Sequence, residues 1–323
     1  MTVTDAPVAA TTAPPPSPSP QATSERPHGD RTDVVVTLAQ VAPRLGDVAA
    51  NLERHLELIG DAAGGGAALV VFPELSLTGY FLKDLVPDVA LREQSAELSR
   101  LALASEAIDV VAGCVLESDD ARFYNASLYF SGGRLHHVHR KVYLPTYGLF
   151  DEARYLAQGD RFRSFAAPLD VAAPPRPWEA GMLICEDMWH PTAAGLLARQ
   201  GVELFICPSA SPGRGVVHGH ALGTARSYDS MTRTYAQLFT SYLLYCNRVG
   251  FEDGVSFWGG SRVVGPDGRL VDDPAGGEEC LVTHRIDLAA VRRARIANPL
   301  LRDERHDIND AETERLRNRR ALD

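Results

Sequence analysis

At 323 residues, with 45% hydrophobic and 23% charged residues and a formal net charge of -10, the chain suits one large α/β domain plus a tail. The negative balance argues against a nucleic-acid surface, because neutralising phosphates needs clustered Lys and Arg; no apolar run approaches the roughly 20 residues that span a bilayer. Cys114, Cys185, Cys207, Cys246 and Cys280 are widely spaced with no CxxC pair, a pattern of reduced thiols in a cytoplasmic protein rather than a disulfide framework or zinc site.

Residues 1–31, with TTAPPPSPSPQATSERPHGD, hold almost nothing to bury and are expected to be a disordered leader without the apolar core of a secretory signal. The domain, expected over 32–290, opens with VVVTLAQV, a β-branched run suited to a central strand. Val48, Leu52, Leu56 and Ile59 recur at helical spacing between Asp47 and the GGG at 64–66, and ALVVF at 68–72 is the next buried strand. This is a β-α-β unit. An amphipathic stretch from Leu91 to Ala107 leads to IDVVAGCV at 108–115, and NASLYF, SGG and RLHHVHRKVYL (125–144) read as an antiparallel hairpin.

Gly181 to Ile184 form an apolar strand ending at Cys185, with a helical pattern opening at His190 and Pro191 and stopping at Gly201. ELFICPSA (203–210), a long helix from about His220 to Thr240, YLLYCNRVG (242–250) and a final hairpin, SFWGGSRVVGPDGRLV, complete the domain. Residues 291–323 are a tail in which Arg292, Arg293 and Arg295 sit among Asp303, Glu304, Asp307 and Asp310, as on a solvated helix face. Two mixed sheets, each covered by helices, accommodate this order.

Chemistry-bearing residues stand at the strand ends, where ligand sites of open α/β layers collect. On a strand-to-helix corner the Cys185 side chain projects from the sheet edge, and unpaired backbone N–H groups favour a thiolate and an oxyanion; plain packing is the competing reading. Glu74 ends an almost wholly apolar strand, where a carboxylate is costly unless paired or used, and Lys141 follows another. Taken alone, these two also fit a structural ion pair. His136, His137 and His139 resemble metal ligands, but adjacent strand residues face opposite ways, so no metal site is expected. A papain-like pairing is disfavoured because the nearest histidine, His190, belongs to the same corner as Cys185.

VVFPELSLTGY, RKVYLPTYGLFDEARYL and ICEDMWHP resemble, in order and context, the three signature blocks of the nitrilase or carbon–nitrogen hydrolase superfamily, from about Val34 to Asp287. Within it, FPELSLTGY followed by Leu85, LPTYGLFDEARYL with Gly159, CEDMW with Pro191, and GGS at 259–261 look most like the glutamine-hydrolysing domain of glutamine-dependent NAD synthetases. RIANPLLRDERHDI instead resembles the tails of stand-alone members rather than an ATP-using synthetase domain, which implies a free-standing amidase.

The resemblance implies a four-layer αββα sandwich in which Glu74 is the general base, Lys141 the oxyanion-stabilising cation, Cys185 the nucleophile and Glu152 the residue orienting the lysine. It implies a small, linear, glutamine-like amide and water as substrates, a Cys thioester intermediate and no cofactor. A homodimer or larger assembly is implied too, with the segment after Asp287 reaching across the partner. Tyr80, Tyr147, Glu186, Trp189, Ser209 and Ser211 are candidate substrate contacts, each with a core-packing alternative. The alternatives are a nitrilase, a carbamoyl-amide hydrolase and a catalytically idle binding module of the same fold.

Overall fold

Alternating branched residues put two apolar faces on each central strand. In the computed structural model, which describes residues 33–169, 176–214 and 222–320, strand β1 (Asp33–Gln40) is followed by helix α1 (Val48–Gly64) and strand β2 (Leu69–Val71). The leader expected over 1–31 and His220, where the long helix was expected to open, lie outside the described residues. Val34, Val36, Leu38, Leu69 and Val71 face a second sheet, while Val70 and Phe72 face α1 through Leu52, Leu58 and Ile59. Asp47 starts α1 by accepting the Ala50 N–H at 3.1 Å.

A short helix α2 (Val86–Val89) precedes α3 (Ala96–Ala104), which Ser95 caps at the Leu98 N–H. The expected helix from Leu91 thus begins later, because Leu91 bridges Leu116 instead. Strands β3 (Asp109–Glu117), β4 (Phe123–Ser131) and β5 (Arg134–Arg140) then complete a sheet of order β13-β1-β2-β3-β4-β5, with β4 and β5 forming the expected hairpin. Helix α4 (Glu152–Tyr155) and strand β6 (Ser164–Ala167) lead to β7 (Trp178–Met182), α5 (Pro191–Arg199), β8 (Leu204–Ser209), α6 (Gly223–Leu238) and β9 (Tyr242–Asn247). With β12 (Arg262–Val264) these give the second sheet, β12-β9-β8-β7-β6, whose outer face packs on α5 and α6 through Ala194, Leu197, Tyr228 and Ala236. The result is the four-layer αββα sandwich, its inter-sheet core running from Val36 and Val111 to Met182, Ile206 and Leu244.

Two expectations change. The final hairpin forms only in part: across the expected GPDG turn Val264 bridges Leu270 and the Val271 N–H reaches the Val263 carbonyl at 2.9 Å, but residues 255–258 pair backwards, β10 (Val249–Glu252) with β11 (Val255–Trp258), while β12 pairs with β9. Gly259 and Gly260, at φ 68° and 72°, turn the chain between them. A further strand, β13 (Cys280–Asp287), closes the first sheet antiparallel to β1 from Asp33↔Asp287 to Gln40↔Cys280. Beyond it, α7 (Leu288–Ala297) buries Leu288 and Val291 against the inter-sheet core, followed by α8 (Leu300–Asp303) and α9 (His306–Arg320). Arg292 and Arg293 are solvated as expected. Arg295 is not: it donates to the Gly201 and Val202 carbonyls ahead of β8, satisfying acceptors at a sheet margin. No helix among the described residues is long and apolar enough to cross a membrane.

The segment leaving β2 is pinned from below. His55 Nδ1 donates to the Asn51 carbonyl at 2.7 Å, so its Nε2 accepts from Ser76 Oγ at 2.9 Å, and Ser76 Oγ in turn accepts the Gly113 N–H at 3.2 Å. A Cβ at Gly113 would stand 2.4 Å from the Leu75 nitrogen and 2.8 Å from the Pro73 carbonyl oxygen. Only glycine admits the residues around Glu74 there.

Gly113→Ala is therefore expected to destabilise the fold by about 1–3 kcal/mol, read from urea denaturation, and to displace Glu74. His55 titrates at about 4 rather than 6.5, because burial disfavours its cation more than the Asn51 carbonyl favours it. Below pH 6.5 the unfolded chain takes up a proton that the folded one refuses. Stability should thus be lost progressively from pH 6.5 towards 4, by about 3 kcal/mol in all from this group. Denaturation midpoints that His55→Gln leaves equally steep in pH over this range would contradict the assignment.

Candidate active site

Five chain segments converge at one edge of the sandwich. β2 and β3 run parallel, and β5 shares their direction because it is antiparallel to β4, itself antiparallel to β3. Glu74 therefore leaves its sheet at the same end as Lys141. In the other sheet β7 and β8 are parallel, and Cys185 and Ala210 follow their carboxyl ends. Glu152 comes from the first turn of α4.

The Lys141 ammonium is fully buried between two carboxylates, 2.7 Å from Glu74 Oε1 and 2.7 Å from Glu152 Oε1. Glu74 is held further by the Asn125 side-chain amide on Oε1 and the Ala210 N–H on Oε2, each at 2.7 Å. Tyr80 donates its hydroxyl to Glu152 Oε1. Burial alone would strip Lys141 of its proton, but Glu152 and Glu74 more than offset this and hold it charged, well above its ordinary range. Burial raises Glu152 to about 7 against the pull of Lys141, and the Glu74 charge adds to the rise. Cys185 is pushed well above the usual thiol value by burial and then by Glu74, against the pull of Lys141 and of its hydrogen bond with Tyr228. At rest it is a thiol, so a base must take its proton as sulfur attacks.

β7 stops at Met182, two residues earlier than its apolar run suggests, and Cys185 sits in the left-handed region at φ 43° before a 3-10 turn, Cys185–Trp189. A side chain with a Cβ tolerates that conformation only where its surroundings impose it. Asp187 imposes it. Fully buried, its carboxylate accepts the Ile184 N–H at 3.0 Å and His139 Nε2 at 2.9 Å on one oxygen, and the N–H groups of Val142 (3.1 Å) and Tyr143 (3.0 Å) on the other. One side chain thus clasps the Cys185 corner to the segment that carries Lys141. Gly159 packs on the same segment: a Cβ there would meet the Arg140 carbonyl oxygen at 2.1 Å.

Cys185 opens on a cavity of about 400 Å³ walled by Tyr147, Glu186, Trp189, Ser211, Arg214 and Tyr228, among others. Of the expected contacts, Tyr147, Glu186, Trp189 and Ser211 lie on this wall, and the Tyr147 hydroxyl donates to both Glu186 oxygens, at 3.1 and 3.0 Å. Tyr80 is turned towards Glu152 and lines a separate cavity of about 100 Å³. Ser209 does not line the cavity: it is fully buried at the end of β8, its hydroxyl 3.5 Å from Cys207 Sγ. His136 bonds the Ala166 carbonyl, His137 stacks on Phe165, and His190 stacks on Tyr143. Among the described residues no cluster of His, Cys, Asp or Glu is arranged to hold a metal ion.

Sequence reasoning missed Asn125, Asp187, Arg214 and Tyr228. Asn125 had a signal, as the one amide in an otherwise apolar strand end, and Asp187 stood inside a quoted motif. Tyr228 had none, since an aromatic on the buried face of an amphipathic helix reads as core.

The sandwich recurs in known proteins. It is shared with a carbon-nitrogen hydrolase from Helicobacter pylori G27 (TM-score 0.74, 24% identity, 86% of this chain and 97% of that one). It is shared too with Saccharomyces cerevisiae Nit3, a member of branch 10 of the nitrilase superfamily (TM-score 0.69, 25% identity, 83% and 95%). The carbon-nitrogen hydrolase family matches over residues 35–296, and the chain belongs to that family. It is also 32% identical over 293 residues to the glutamine-dependent NAD(+) synthetase of Thermotoga maritima, covering 87% of this chain and 47% of the relative. The chain thus spans about half the length of the curated relatives it matches.

Asp187→Asn replaces an acceptor pair by one oxygen and one NH₂, which must face two of the four donors. The expected loss is about 2–4 kcal/mol of stability together with slower alkylation of Cys185. Urea denaturation and iodoacetamide labelling check it; unchanged labelling would show that the clasp does not place the thiol.

Proposed function

We propose that the chain hydrolyses the carbon–nitrogen bond of a small linear amide, glutamine-like in size, releasing ammonia through a thioester on Cys185. The observation that carries this reading is the ammonium of Lys141 locked between Glu74 and Glu152 while both Glu74 and Lys141 act on the charge of a thiol that lines an open cavity.

In this mechanism Glu74 accepts the Cys185 proton as sulfur attacks the carbonyl carbon. Lys141 and the Glu186 N–H stabilise the tetrahedral oxyanion; the neighbouring Asp187 N–H is already committed to the Ile184 carbonyl at 2.9 Å. Collapse breaks the C–N bond as Glu74 returns its proton to the departing ammonia. Glu74 then takes a proton from water as the water oxygen bonds the thioester carbon; collapse breaks the C–S bond, Glu74 returns the proton to the departing sulfur, and the acid leaves with the Cys185 thiol restored. Glu152 acts by fixing Lys141, and its free oxygen, Oε2, has no hydrogen-bond partner among the described residues. The buried Glu186 carboxylate, steadied by Tyr147, suits a substrate ammonium, and Ser211 and Trp189 complete the wall. Glutamine carries such a group, and the curated relative's name makes it the first amide to test.

Ammonia release across a panel of small amides, glutamine included, tests the proposal. Cys185→Ala should release none, and Lys141→Met should lose on the order of a hundred- to thousandfold in kcat. Undiminished release from Cys185→Ala would sink the scheme, and turnover of nitriles but not of the matching amides would replace it with hydration of a C≡N bond.

A further inference from the structure

We propose that Tyr228 is a further catalytic residue of this site: its hydroxyl donates a hydrogen bond to the Cys185 sulfur, and Trp189 positions it by occupying the tyrosine oxygen. The inference rests on the reading of Cys185 as nucleophile.

Tyr228 Oη lies 3.2 Å from Cys185 Sγ and 3.2 Å from Trp189 Nε1. Proton accounting sets the direction of both bonds. An indole N–H can only donate, so in that contact the tyrosine oxygen accepts. The thiol has a single proton, which goes to Glu74 when the nucleophile forms, leaving the sulfur only as an acceptor. The tyrosine proton then has one destination, the sulfur. Tyr228 keeps its proton throughout, because burial, with the neighbouring Cys185 charge adding to it, holds its hydroxyl well above the ordinary phenol value.

The placement is enforced. Tyr228 is buried in the middle of α6, its ring 4.6 Å from Tyr245 and edge-on to Trp189 at 5.7 Å. Trp189 ends the same 3-10 turn that Cys185 begins, so nucleophile and positioning residue move together against a donor from another layer. Other groups coupled electrostatically to the thiol are Glu74 and Lys141, beyond β2 and β5, Cys207 in β8, and the hydroxyls of Tyr80, Tyr147 and Tyr245. Lys141 is already shared by two carboxylates. A second donor to sulfur therefore matters most when negative charge resides there, at attack and again at thioester collapse, and little once the sulfur is acylated. Preference for the charged states over the acyl-enzyme is what makes such a bond catalytic.

The test follows iodoacetamide alkylation of Cys185 against pH in the full chain, by mass spectrometry of the peptide carrying it, which also separates it from the exposed Cys280. Tyr228→Phe should move the profile to higher pH and slow alkylation at pH 7 roughly tenfold, the worth of one hydrogen bond to a charged group. Trp189→Phe should move it the same way by less, and should add nothing when combined with Tyr228→Phe. A folded Tyr228→Phe protein with the wild-type profile overturns the proposal; should that variant not fold, a wild-type profile in Trp189→Phe overturns it equally. Because alkylation needs no amide, a displaced profile in a protein that releases ammonia from no amide supports the relay while refuting the proposed substrate.

Discussion

A lysine ammonium with no solvent, held between two carboxylates, is the constraint on which this structure turns. Burying a cation is unfavourable by several kcal/mol unless its charge is matched and its protons are bonded. Lys141 meets both conditions only because Glu74 and Glu152 arrive from separate segments to within 2.7 Å. Two carboxylates against one ammonium leave an excess negative charge. Burial is the larger cause of the rise of Glu152 to about 7 and of the reluctance of Cys185 to ionise, and the Glu74 charge adds to both.

Holding that cluster together requires backbone precision, supplied by buried polar groups rather than by apolar packing alone. Asp187 ties the Cys185 corner to the end of β5, and His55 and Ser76 support the segment after β2. Glu252, paired with the buried Arg248, accepts the N–H groups of Tyr80 and Phe81 at 2.8 and 2.6 Å and so fixes the tyrosine that bonds Glu152. Asp187, Ser76 and Glu252 each accept backbone N–H groups from elsewhere in the chain, and His55 holds the Ser76 hydroxyl in place. They convert a sandwich that packing would leave adjustable into one with a fixed constellation at its edge.

Much of the architecture was legible because strand and helix periods differ and Gly and Pro punctuate them. β1, α1, β2, β3, β8 and the β4–β5 hairpin sit close to where apolar runs and turn residues put them. Errors gathered where pairing is non-local. Residues 256–271 carry every local sign of one hairpin, yet it is 262–264 that turn back on 269–271 across GPDG and also pair with β9, while 255–258 pair with β10. β13 was missed because its exposed positions, Cys280, Thr283 and Arg285, give a mixed pattern that becomes a strand only against β1.

By itself the sequence determined most strands and helices, the corner at Cys185 and the residue types at the strand ends, since these follow from local periodicity and from the cost of a charge beside an apolar run; the four layers were implied by the family resemblance. Tertiary structure alone decided which groups meet. Asn125 on Glu74, His139 on Asp187 and Tyr228 on Cys185 join residues 51, 48 and 43 positions apart. Hydrogen bonds act over about 3 Å whatever the separation along the chain. No local pattern encodes such a partner, and only the packed sheets bring it within reach.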